Sequence, residues 1–142
     1  MTKHIIKTKQ DTQKLAKQLA LKSKKGDIFA LQGTLGVGKT FFVSQFINAL
    51  LKKQNQKPEQ VTSPTFNILK IYETKEFPIY HFDLYRLKKS EELYELGIEQ
   101  AFENGITLIE WPELAQDLLP TNYIKLKFSF GKNEEERIIE II

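Results

Sequence analysis

The stretch "DIFALQGTLGVGKTFFVSQFINALLKK", residues 27–53, decides how the rest of the chain is read. It opens with an apolar run of strand length (27–33) and passes into the glycine-rich "GTLGVGKT" (33–40). Phe42, Phe46, Leu50 and Leu51 then follow at helical spacing. Gly33, four residues, then Gly38-Lys39-Thr40 is the pattern of a loop whose successive backbone N–H groups form a nest for an anion. Such a nest needs a strand before it and a helix after it. The helix N-terminus adds partial positive charge, and the glycines let the backbone come close to phosphate oxygens. Read this way, Lys39 reaches the β- and γ-phosphates of a nucleoside triphosphate and the Thr40 hydroxyl binds Mg²⁺.

The remainder of the chain is consistent with one soluble domain over residues 1–142. No apolar run approaches the ~20 residues of a membrane span, and "MTKHIIKTKQ" has no apolar stretch of a signal peptide, so a cytoplasmic location is expected. The absence of cysteine excludes disulfides and thiolate metal sites. Charge is unevenly spread. Residues 1–58 hold twelve Lys against Asp11 and Asp27, a net of +10, whereas residues 59–142 hold nine basic and sixteen acidic groups, a net of −7. A basic half beside a phosphate site could steer a polyanion or an acidic partner, although lysines that merely solvate helices give the same count.

Outward from the loop, "HIIK" (4–7) reads as a strand and "DTQKLAKQLALKSKK" (11–25) as a helix, with Asp11 as N-cap and Gly26 at its end. A strand is expected from Phe66 and another over 77–85, pairing as a hairpin across "TKE". "SEELYELG" reads as a helix from an N-cap at Ser90 to Gly97. "GITLIEW" (105–111) reads as a buried strand, and "PELAQDLL" as one or two helical turns opened by Pro112. The C-terminus reads as an antiparallel hairpin turning at Gly131-Lys132-Asn133. The fold class is therefore α/β: a mixed sheet flanked by helices, of the phosphate-loop NTPase kind, with that loop at the carboxyl end of a central strand.

A Mg²⁺ held by phosphates and one hydroxyl needs a carboxylate from a neighbouring strand end. Glu110, closing the apolar run "ITLIE", supplies it, with the longer Glu where Asp is usual. Asp83 in "HFDLYRL" is the second carboxylate, placed to orient an attacking water. Arg86 could pair with Asp83 or meet phosphate, and His81 reads as a packing residue. Thr65 in "TSPTF" (62–66), with Ser63 second, is the hydroxyl suited to sense a γ-phosphate, and Trp111-Pro112 pins the turn after its strand. A GTPase is excluded: the only [NT]KxD is "TKQD" (8–11), ahead of the loop, and no DxxG occurs. A phosphate-loop kinase needs arginines on a lid, yet only Arg86 and Arg137 exist. What remains is a minimal ATPase, slow alone and dependent on a partner. The alternatives are an ATP-dependent interaction module with little turnover, or a small kinase using Asp83 as base.

"GTLGVGKT", "SPTFNIL", "YHFDLYRL", "ELGIEQ" and "LIEWPE", in this order, closely resemble the bacterial TsaE (YjeE) family, from about Thr12 to Leu119. The resemblance implies a cytoplasmic ATPase of tRNA threonylcarbamoyladenosine biosynthesis, with ATP and Mg²⁺ as cofactors. Its partners would be a TsaD-like transferase and a TsaB-like protein, with direct tRNA contact left open. It further implies that Gly36, Val37, Gly38, Lys39, Thr40 and Phe41 wrap the phosphates and that Thr12 contacts the nucleotide. Thr40 and Glu110 would hold the metal, Asp83 would assist hydrolysis, and Thr65 would belong to a nucleotide-sensing loop. Trp111 fits the family pattern at a partner contact, and the C-terminal hairpin matches no family motif.

Overall fold

In the computed structural model, which describes residues 2–142, the chain builds one seven-stranded sheet. Strand β1 (Thr2–Ile6) leads to helix α1 (Lys9–Lys22), then β2 (Ile28–Gln32), α2 (Lys39–Lys53), β3 (Leu69–Tyr72) and β4 (Ile79–Asp83). Two short helices, α3 (Glu91–Glu95) and α4 (Ile98–Asn104), precede β5 (Ile106–Glu110). A 3-10 segment (Pro112–Leu118), β6 (Ile124–Phe130) and β7 (Arg137–Ile141) complete the chain. The strand order is β1-β7-β6-β2-β5-β4-β3. Strand β2 runs parallel to β5 and β6, and β4 parallel to β5, while the outer pairs are antiparallel. The mixed sheet, its central β2 and the C-terminal hairpin match the expectation. The chain's first strand joining β7 at the far edge was not anticipated.

Strand alternation sorts side chains onto two faces. Phe29, Leu31, Ile79, Ile106 and Leu108 share a core with α1 and α2, where Phe29 meets Phe46 edge-on at 5.0 Å between ring centroids. Ile28, Phe82 and Ile109 face the other way, under Leu93, Ile98 and Ala101 of α3 and α4. His81, Asp83 and Glu110 have the same parity as Ile79 and Leu108, so three polar groups fall on the α2 face at the carboxyl ends of adjacent strands.

Several boundaries differ from the sequence reading for local reasons. Thr8, extended at φ −136°, is the N-cap of α1, and Asp11 is the third residue of a capping box rather than the cap. Its carboxylate accepts from the Lys7 and Thr8 amides at 2.9 and 3.1 Å. The helix stops at Lys22 with Ser23 as C-cap, and Gly26 lies beyond it in a turn at φ 96°. Strand β3 begins at Leu69, not Phe66, because residues 64–68 form a turn closed by the Ile68 amide on the Pro64 carbonyl at 2.6 Å. Gly97, left-handed at φ 82°, ends α3 and starts α4, a helix the sequence reading did not separate. Ser90 precedes α3 without a side-chain capping bond. The last hairpin turns over 131–136, wider than the three residues expected.

Candidate functional site

The loop after β2 is shaped by its glycines. Gly38 is left-handed at φ 109° and opens α2 without any side-chain cap, so the first-turn amides stay available to a ligand. A Cβ on Gly33 would sit 2.9 Å from Phe128 Cβ and from the Phe128 carbonyl oxygen, so β6 packs where only glycine fits. Val37 is buried, and its carbonyl accepts from Arg137 Nε of β7 at 3.2 Å. The C-terminal hairpin thus braces the loop from outside, a role no sequence motif announced.

Lys39 folds back along the loop, donating from Nζ to the Gly33 carbonyl at 2.5 Å, with Nζ 3.7 Å from the centroid of the Trp111 ring. Burial pushes the Lys39 amine below its ordinary value, while the nearby carboxylates of Glu110, Glu113 and Asp83 oppose that shift. Trp111 is left-handed at φ 59°, with Pro112 opening the next turn and the Tyr85 ring 5.0 Å from the indole. The expected tight turn is therefore present, and the indole packs on the lysine as well.

Thr40 and Glu110 come together. The Thr40 hydroxyl lies 3.0 Å from both Glu110 carboxylate oxygens. Glu110 is buried, and its Oε2 is 2.6 Å from His81 Nε2. His81 is therefore not simple packing: period-2 alternation from Asp83 puts it beside the site, a signal the sequence contained. Asp83, opposite Glu110 in the β4–β5 register, is buried as well. Its Oδ2 accepts from Ser63 Oγ and from Thr65 Oγ1, the latter at 2.9 Å, and its Oδ1 accepts from the Tyr85 amide at 3.1 Å. Arg86 does not join it. The guanidinium instead lies 4.5 Å from the ring centroid of Phe66, which is 81% exposed. Among the described residues no Lys or Arg side chain lies within 4.0 Å of a carboxylate; the His81–Glu110 contact is a buried hydrogen bond.

Two cavities flank the loop and share Gly38 and Phe41. One, about 320 Å³, is lined by Gly36, Lys39, Thr40, Thr65, Asp83 and Glu110. The other, about 400 Å³, is lined by Thr12, Val37, Phe128, Glu135 and Arg137 among others. Thr12, Gly36, Val37, Gly38, Lys39, Thr40, Phe41, Thr65, Asp83 and Glu110 thus border one or other of these two cavities, whereas Gly33, His81 and Arg86 line neither. Among the described residues no three His, Asp or Glu side chains converge as a metal cage. That donor set suits Mg²⁺, which keeps waters and phosphate oxygens around one or two protein ligands, and Thr40 with Glu110 offers such a pair. Among the described residues no helix is long and apolar enough to cross a membrane.

A glycine-rich nest on a central parallel strand, with a hydroxyl and strand-end carboxylates around it, defines a protein of the phosphate-loop α/β class. Residues 6–139 match the family described as "Threonylcarbamoyl adenosine biosynthesis protein TsaE". The chain is 42% identical over 137 residues to the tRNA threonylcarbamoyladenosine biosynthesis protein TsaE of Rickettsia bellii, covering 96% of this chain and 92% of that one. It is 34% identical over 130 residues to the protein of that name from Bacillus subtilis, covering 91% and 78%. The crystal structure of Bacillus subtilis YdiB superposes with a TM-score of 0.74 at 28% identity, covering 97% of this chain and 82% of that one. The chain belongs to the TsaE family.

Proposed function

We propose that this protein is a Mg²⁺-dependent ATPase of low intrinsic activity, serving tRNA N6-threonylcarbamoyladenosine formation together with a TsaD-like transferase and a TsaB-like protein. The observation that carries the ATP reading is the Thr40–Glu110 contact at 3.0 Å beside an uncapped helix N-terminus. In this reading the amides of residues 36–41 hold the phosphates. Lys39 Nζ leaves the Gly33 carbonyl for the β- and γ-phosphates, and Thr12 and Phe41 border the nucleoside. Mg²⁺, when bound, would supply positive charge that offsets the negative charge developing on the phosphates. Thr40 and Glu110 would hold it, directly or through water.

Hydrolysis adds water at the γ-phosphorus, breaks its bond to the bridging oxygen and releases ADP and phosphate. Asp83 orients that water once the Ser63–Thr65 loop releases its carboxylate and Thr65 turns toward the γ-phosphate. The release step gives a physical reason for slowness: both carboxylate oxygens are engaged in the free protein. The same engagement favours the second reading, an ATP-dependent interaction module with little turnover. The kinase reading has less support, because Arg86 lies on Phe66 and Arg137 is spent on the Val37 carbonyl, leaving no arginine over the phosphates. Phosphate release measured with and without the purified TsaB–TsaD pair separates the readings. Marked stimulation by the pair is expected; turnover that stays negligible with the pair present supports the binding module, and turnover appearing only on adding a small alcohol or sugar supports the kinase.

A further inference from the structure

The same site contains a group that the proposed hydrolysis does not use. His81 is fully buried on β4, and its Nε2 meets Glu110 Oε2 at 2.6 Å. A carboxylate only accepts, so Nε2 carries the proton and donates it. Nδ1 has no hydrogen-bond partner among the described residues, so one proton on Nε2 leaves no imidazole N–H unpaired. The two oxygens of Glu110 are therefore unequal. Oε2 is shared by His81 and Thr40, whereas Oε1 meets Thr40 alone. A glutamate has one more rotatable bond than the aspartate usual at such a strand end, and its carboxylate needs a second anchor to present one oxygen reproducibly.

We infer that His81 is a positioning residue for the magnesium carboxylate: its Nε2–H holds Glu110 Oε2 so that Oε1 stays turned toward Thr40 and the metal. This deepens the Mg²⁺–nucleotide reading above and rests on it. Its physical basis is general, since ligating carboxylates are themselves hydrogen-bonded, and loss of such a partner costs about 10- to 100-fold in metal affinity. A merely space-filling role would be served equally well by an apolar side chain at this fully buried position.

The test titrates a non-hydrolysable ATP analogue by calorimetry into the parent protein, His81→Leu and His81→Gln, in EDTA and over a series of Mg²⁺ concentrations. The glutamine amide can still donate to Oε2, whereas leucine cannot. Affinities in EDTA should agree among the three. The Mg²⁺ concentration needed for half-maximal tightening should rise about 10- to 100-fold in His81→Leu and stay near the parent's in His81→Gln. An unchanged requirement in His81→Leu, or a shift as large in His81→Gln, overturns the inference. Should leucine unfold the chain by circular dichroism, His81→Asn, which falls short of Oε2, takes its place with the same expected rise and the same overturning result. A parent whose affinity ignores Mg²⁺ removes the metal reading itself and this inference with it. A responsive parent beside an unaffected leucine variant removes this inference alone.

Discussion

Glu110 and Asp83 are opposite one another on adjacent parallel strands, both buried, yet their surroundings differ in kind. Glu110 is tied to two regular elements, the first turn of α2 through Thr40 and strand β4 through His81. Asp83 is tied to connecting chain, the 62–66 loop through Ser63 and Thr65 and the Tyr85 amide just past its own strand. A carboxylate braced by helix and strand is fixed, as a metal ligand needs to be. One braced by a loop changes partners when the loop moves, as a sensor needs to. The pair teaches that the sheet delivers two carboxylates to one spot, and that what holds each one suits it to a different part of the proposed function.

Three substitutions bear on that contrast. The largest effect is expected from Lys39→Ala, which serves both sides: ATP affinity by calorimetry should fall about 100-fold, near the upper range of charge-assisted bonds, with the circular dichroism spectrum preserved. Unchanged affinity would erase the phosphate loop and the contrast together. Asp83→Asn should leave ATP affinity near the parent's and act on phosphate release alone, slowing it about 100-fold, the low end of what a positioned base contributes. Glu110→Gln should instead raise the Mg²⁺ requirement for binding about 10-fold, leaving affinity in EDTA alone. If the two variants exchange these phenotypes, the assignment of roles is reversed.

The smallest effect is expected far from both carboxylates, at the start of α1. Thr8→Ala should lower stability by about 1 kcal/mol in chemical denaturation without altering nucleotide affinity. Asp11 gives the matching pH dependence. The Lys7 and Thr8 amides hold its carboxyl below the ordinary 3.8, so its stabilising contribution is complete above that pH and is lost as pH falls through the depressed value. The difference in Tm between the parent and Asp11→Asn should therefore shrink in acid below pH 3.8.

Much of this was legible because the informative signals are local. The loop's glycines, its lysine and the apolar runs ending at Asp83 and Glu110 are each read from a few neighbouring residues, and β2, α2, β4 and β5 emerged within a residue or two. Thr8 is legible too, as a hydroxyl three residues before Asp11: at that spacing the acidic residue is the capping-box partner and not the cap. What escaped depends on contacts distant in sequence. Arg137 reaches Val37 across a hundred residues, and Phe128 against Gly33 follows from β6 lying next to β2, which no periodicity encodes. His81 stands between these cases: its face follows from alternation, but its bond to Glu110 needs the β4–β5 register. Arg86 shows the opposite case: of its two candidate partners, Asp83 and phosphate, the nearby carboxylate is not taken, and the guanidinium lies over an exposed aromatic ring.

The most direct test is a crystal structure with a non-hydrolysable ATP analogue and Mg²⁺. The amides of residues 36–41 should lie on the phosphates, with the Thr40 hydroxyl about 2.1 Å from one Mg²⁺ and Glu110 bound to that ion directly or through a single water. A nucleotide bound elsewhere, or a metal beyond the shared reach of Thr40 and Glu110, would contradict this arrangement.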